Sequence, residues 1–153
     1  MKHKVLSVKQ PWAFLICSGI KDIENRTWKL PEKYKGERVL LHASAHIRKS
    51  TKDLLNKEQF DVILGLSDLN KEKYFDGRQV EHAIIGAVKF SDCVVNHPSI
   101  WAEHSRGWPS DPKHIYNWVV SDAILFDKPI LNVKGKLGFW DFDLPEEYVK
   151  LLK

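Results

Sequence analysis

Cysteine is scarce in this chain, with two in 153 residues, and no CxxC pair occurs, so nothing supports a zinc ribbon. Cys17 and Cys93 stand alone in the apolar stretches "FLICSG" and "FSDCVVN". They read as small buried hydrophobes of a reducing compartment, a disulfide or reactive thiol being the alternative. Long apolar runs are also missing. Nothing approaches the roughly 20 residues of a membrane span. The N-terminal "MKHKVLSVKQPW" is basic but has no apolar core of a signal peptide. A soluble, cytoplasmic protein with no membrane partner is expected. No G-x-x-x-x-G-K phosphate loop, HExxH or GxSxG is present, and no Ser-His-Asp order stands out. No cofactor is expected. Repeats, low-complexity tracts and linkers are absent too.

What remains is a globular composition, 43% hydrophobic and 29% charged, over a length that suits one domain spanning 1–153. Lys and Arg number 24 against 20 acidic residues, a net charge of +4. That balance mildly favours a polyanionic partner such as RNA.

The element pattern starts with a short strand over 5–8. Pro11 then opens an apolar helix over 12–17, with Gly19 as its C-cap. Alternation over 22–28 predicts a strand that puts Asp22, Glu24, Arg26 and Trp28 on one face and Ile23, Asn25 and Thr27 on the other. Lys21 falls in the turn before it. A polar loop leads to a strand over 38–44. Residues 47–75 carry helix-spaced apolar positions, and a loop follows over 75–83. Strands are predicted over 83–95, with a bulge at Gly86, and over 115–126. "DKPILNVKGKLGFWDFDLP" reads as a strand, a tight glycine loop and a final strand, and Pro145 opens a closing helix. About six strands with inserted helices predict an α+β domain around a mostly antiparallel, barrel-like sheet.

The informative stretch is "SGIKDIENRTW". Opposite charges alternate between two apolar runs. They form either a solvated edge or the lining of a pocket. Trp28 on the Glu24/Arg26 face, and Trp12 one helix away, suit the pocket: a base stacks on an aromatic while fixed polar groups bond its edge. An internal ion pair that fixes the first turn of the sheet is the alternative.

"SVKQPWAFLICSGIKDIENRTW" followed by "YKGERVLLHAS" resembles the ASCH (ASC-1 homology) domain of prokaryotic type. Gly19, Lys21, Glu24 and Arg26 fill its GxKxxExR hallmark, and "QPWA", "LLHAS" and "KPILNVKGKLGFWDF" are similar to its flanking segments. Residues 47–82 and 96–112 are poorly matched and read as variable insertions. The resemblance implies a PUA-like β-barrel, a link to RNA binding and processing, and a cleft lined by the motif Lys, Glu and Arg. Some relatives are enzymes: one branch deacylates N4-acetylcytidine, and ribonuclease activity occurs elsewhere. In the amidohydrolase branch a threonine nucleophile stands where this chain has Glu24. Thr27 falls on the opposite strand face, so that mechanism does not transfer. If the cleft is catalytic, Lys21 and Glu24 carry it, as a coupled pair or with Glu24 as general base.

The expected partner is therefore RNA or a nucleoside, held by Gln10, Trp12, Lys21, Glu24, Arg26, Trp28, His42, Ser44, Lys134 and Lys136. His42 is either a cleft donor or a satisfied core histidine. Its spacing from His46 straddles a strand end, and no metal site is expected. Ser7 is a further candidate polar cleft residue. The other histidines, His82 among them, read as ordinary loop residues. The remaining tryptophans, including Trp101, Trp108, Trp118 and Trp140, read as core. Lys134, Gly135 and Lys136 form either a solvated turn or a phosphate-contacting lip. Arg48, Lys49 and Lys52 add charge on a solvated helix face or at the border of the cleft.

Overall fold

Strand alternation divides the apolar residues of the sheet between two clusters. The computed structural model describes residues 1–105 and 114–153. In β1 (Lys2–Gln10), Leu6 and Val8 enter one core cluster while Val5 enters the other. In β3 (Arg38–His46), Val39, Leu41 and Ala43 join the first and Leu40 the second. Six strands form one sheet in the order β2-β5-β4-β3-β1-β6. The others are β2 (Ile23–Arg26), β4 (Ala83–Val94), β5 (Tyr116–Ile130) and β6 (Phe139–Asp143). Every neighbouring pair is antiparallel except β1 with β3, which is parallel.

The sheet is open, which corrects the expected closed barrel. Its edges are β2 and β6, and no backbone ladder joins them. Aromatic side chains occupy the seam instead. Trp28, just past β2, meets Trp118 of β5 at 4.7 Å and Phe139 of β6 at 5.9 Å between ring centroids. Trp118 also stacks on Phe139, with an interplanar angle of 3°. The sheet thus curls until its edges touch through rings. With only four residues, β2 is too short to continue a ladder across that gap.

Helix α1 (Trp12–Cys17) buries Ala13 through Cys17 against the sheet, as its unbroken apolar run requires. It ends in a Schellman closure. The amide of Gly19, at φ +81°, bonds the Ile16 carbonyl, and that of Ile20 bonds Leu15. The cap residue proper is Ser18, so Gly19 acts one position later than expected. The 47–75 region resolves into three short helices, α2 (Thr51–Leu54), α3 (Lys57–Leu64) and α4 (Asp68–Gly77). Ser50, Asn56 and Ser67 cap them, each accepting a backbone amide. Helix α4 extends three residues, 75–77, into the expected loop. Helix α5 (Glu146–Val149) follows Pro145 and packs Val149 into the second cluster.

Gly86 sits where β4 shifts register against both β3 and β5. A Cβ there would lie 2.1 Å from the Ile124 carbonyl oxygen, so the bulge needs glycine. One expected strand break is absent. β5 runs unbroken through Pro129, because β2 pairs only with residues 116–119 and leaves the distal half of β5 with a free edge. Cys17 is buried, which pushes its thiol up, whereas Cys93 is half-buried; both are free. No helix among the described residues is long and apolar enough to cross a membrane.

Candidate functional site

The Schellman turn fixes where Lys21 points. Its backbone amide, four residues past the helix end at Cys17, bonds the Leu15 carbonyl. The side chain then folds inward and donates to the Ile23 carbonyl, leaving Lys21 4% exposed. Its Nζ lies 3.9 Å from Glu24 Oε1 and 5.4 Å from the centre of the Trp12 ring. Burial pulls the Lys21 ammonium below its ordinary value, against the pull of the Glu24 charge.

Strand parity brings Glu24 and Arg26 together as expected. Arg26 Nη2 and Nε lie 2.9 and 3.1 Å from Glu24 Oε2. Arg26 Nη2 also donates to the Ser7 carbonyl at 2.8 Å, tying β2 to β1. Asn25, between them, accepts from the Glu103 amide and the Asn117 side chain and donates to the Trp101 carbonyl. That amide network clamps the segment around Trp101 to β2 and β5.

Two cavities meet at this strand. The larger, about 700 Å³, is walled by Trp12, Glu24, Asn25 and Arg26 and runs past Ser7, His42 and Ser44. Residues 134–138 form its opposite lip, and Lys9 and His82 also line it. The smaller, about 360 Å³, shares Trp12, Glu24 and Asn25 and adds Lys21, Gln59, Trp101 and Glu103. The Glu24 side chain, 7% exposed, is thus a partition between them, with Lys21 on one side and Arg26 on the other.

His42 lies in neither solvent nor apolar core. Its Nε2 is 2.7 Å from the Val133 carbonyl oxygen, so that nitrogen carries the hydrogen. Nδ1 is therefore the acceptor, and the Ser7 hydroxyl donates to it at 3.0 Å. The two residues are direct partners in the parallel β1–β3 register. Burial lowers the pKa of His42, against the Val133 hydrogen bond. The Lys134–Lys136 lip crosses directly above: a Cβ on Gly135 would lie 2.9 Å from Ser7 Oγ and 2.8 Å from His42 Cε1.

Of the expected site residues, Trp12, Glu24, Arg26, His42, Ser44, Lys134 and Lys136 line the larger cavity, and Lys21 lines the smaller. Two are placed elsewhere. Gln10 is fully buried and acts as a clasp, donating to the Gly77 and Val80 carbonyls and accepting from the Phe14 amide. Trp28 belongs to the aromatic seam, because β2 ends at Arg26 and its parity does not carry on to residue 28. Trp108 lies outside the described residues. Arg48, Lys49 and Lys52 are exposed and line neither cavity. His82, read as an ordinary loop residue, lines the larger one. No group of three or more His, Cys, Asp or Glu suited to a metal ion occurs among the described residues.

The sequence profile of the ASCH domain matches residues 6–130, spanning both segments read as variable insertions. No curated protein sequence matches. Among solved structures, the crystal structure of ASCH from Zymomonas mobilis superposes with a TM-score of 0.52 at 16% identity, covering 98% of this chain and 92% of that one. A tyrosine-to-phenylalanine mutant of the Zymomonas mobilis protein gives 0.52 and 16%, covering 99% and 96%. At that identity the likeness is one of fold.

Proposed function

We propose, from the premise that the chain belongs to the ASCH domain family, that it is a nucleic-acid-associated module taking RNA or a modified nucleoside into the larger cleft. The observation that carries this reading is the cleft wall. Glu24 and Arg26 are held rigid by each other and by β1, beside the half-buried ring of Trp12, while Lys9, Lys134 and Lys136 stand on the rim. Trp12 supplies a stacking face and Glu24 and Arg26 a fixed edge of acceptors and donors. The lysines supply phosphate contacts that carry no sequence preference. A titration of single-stranded RNA at several salt concentrations tests it. Binding whose logarithm falls with log salt is expected; no binding at low salt, or a flat slope, overturns it.

A second reading has its own observation. Lys21 is buried, its ammonium pulled below its ordinary value by that burial, and shares the smaller cavity with Glu24. That suits a metal-independent hydrolase of the N4-acetylcytidine amidohydrolase or ribonuclease kind, with the amine or Glu24 as general base. Loss of the acetyl group from N4-acetylcytidine, abolished by Lys21→Ala, is the expected sign. Absence of turnover by the unaltered protein removes that reaction.

A further inference from the structure

We infer that Ser7 and His42 form a nucleophile–base pair opening into the larger cleft, suited to cleaving carboxylic esters carried by an anionic ligand. The pair is separate from Lys21 and Glu24. Its geometry has the parts that serine nucleophiles need: a hydroxyl donating to an imidazole nitrogen at 3.0 Å, with the opposite ring nitrogen anchored at 2.7 Å by the Val133 carbonyl. That anchor fixes the tautomer, so the free lone pair of Nδ1 faces the serine proton. The Trp140 indole N–H, 3.4 Å from Ser7 Oγ on its other side, helps to aim the hydroxyl.

Access follows from two features. His42 is fully buried, whereas Ser7 is only partly so and lines the cleft. The lip crosses the pair at Gly135, where any side chain would press on both residues. Arg26, bonded to the backbone of Ser7, shares its charge with Glu24, and the two lip lysines leave this end of the cleft with net positive potential. That potential favours an anionic substrate and a developing oxyanion.

The reaction balances with water as the only co-reactant. Ser7 Oγ bonds to the ester carbonyl carbon as its proton passes to His42 Nδ1. The tetrahedral intermediate expels the alcohol, which takes that proton as the C–O bond breaks. Water then attacks the acyl-serine, giving a proton to Nδ1, and the carboxylic acid leaves with Ser7 restored. The third group is a carbonyl and not a carboxylate, so the imidazolium is less well supported than in a Ser-His-Asp triad. Esters, with their better leaving groups, are therefore the substrates, and amides are not. The anionic-ligand part rests on the nucleic-acid reading of the cleft; the ester part rests on Ser7 and His42 alone.

A fluorophosphonate probe and p-nitrophenyl acetate test the pair without any nucleic acid. One covalent adduct on Ser7 by mass spectrometry is expected, absent in Ser7→Ala. Ester turnover should fall about 100-fold in His42→Gln. Circular dichroism checks that each variant is folded, and Gly135→Ala, which crowds the pair from the lip, should slow labelling independently. No adduct on Ser7 of the folded protein, or equal turnover in Ser7→Ala, overturns the inference. A 3′-O-acetyl nucleotide should be cleaved faster than p-nitrophenyl acetate relative to their uncatalysed rates. No such preference overturns the anionic-ligand part alone, and failure of RNA to bind leaves the labelling result standing.

Discussion

Glu24 meets Arg26 through a single oxygen. Both guanidinium contacts, at 2.9 and 3.1 Å, fall on Oε2, which leaves Oε1 turned toward Lys21 at 3.9 Å. The carboxylate therefore serves two cations at once, one in each cavity. Removing it strands Lys21 in a site 4% exposed. Glu24→Leu should destabilise the fold by about 3 kcal/mol, the scale of an uncompensated buried charge. The double variant Lys21→Met with Glu24→Leu should recover at least about 1 kcal/mol of that. Urea unfolding of both variants decides; a double variant that loses the sum of the single effects would refute the coupling.

Lys134 and Lys136 stand on the cleft rim, both exposed. If they meet phosphates, each change to alanine should reduce the salt slope of single-stranded RNA binding by about 0.7. Affinity should weaken equally across sequences. Unchanged slopes would return the lip to the status of a solvated turn.

Gln10 lies in the "QPWA" segment, yet its role is internal. Gln10→Leu removes the partner of the Phe14 amide and of the Val80 carbonyl, while the Gly77 carbonyl keeps only the Val80 amide. The expected loss is about 3 kcal/mol in urea unfolding, since each buried group left unmatched costs about 1–3 kcal/mol. Nucleic-acid affinity of the folded variant should be unchanged. A selective loss of affinity at full stability would move Gln10 into the binding surface.

His42 makes stability depend on pH. Its folded pKa lies below the ordinary 6.5 because burial disfavours the cation, with His82 adding repulsion. Lys134 and Lys136, the chain neighbours of the Gly135 that packs against the ring, line the same cavity. Below about pH 6.5 the unfolded chain takes up a proton that the folded one resists, so stability is fully present above that value and lost as pH falls. The urea midpoint should drop between about pH 7.5 and pH 5, and by less in His42→Gln. An equal drop in the variant would assign the effect to the other histidines.

Much of the site was legible because its signals are local. The spacing of Lys21, Glu24 and Arg26 carries the family hallmark, that of Glu24 and Arg26 the shared strand face, and Gly19 marks the turn that aims Lys21. What was not legible depends on register between distant strands. Ser7 and His42 are separated by 35 residues and become neighbours only because β1 and β3 run parallel in that alignment. Neither side chain signals this in its own segment. Trp28 was misplaced by extending strand parity past the true end of β2. The open sheet escaped notice because strand count and alternation are the same for a closed barrel and for a curled sheet whose edges meet through aromatic rings.

The pairing of β1 with β6 also sets an order of events. The amino group of Met1 meets Asp143 across 142 residues of chain, and β1 has β6 as its neighbour on one side for its first half. A ribosome therefore releases β1 long before its partner exists. Contacts so distant in sequence close slowly. The lip that roofs Ser7 and His42 directly precedes β6, so it is among the last parts of the domain to emerge. The cleft is completed only as that strand docks, and a nascent chain stalled before residue 134 would carry Glu24 and Arg26 without the roof.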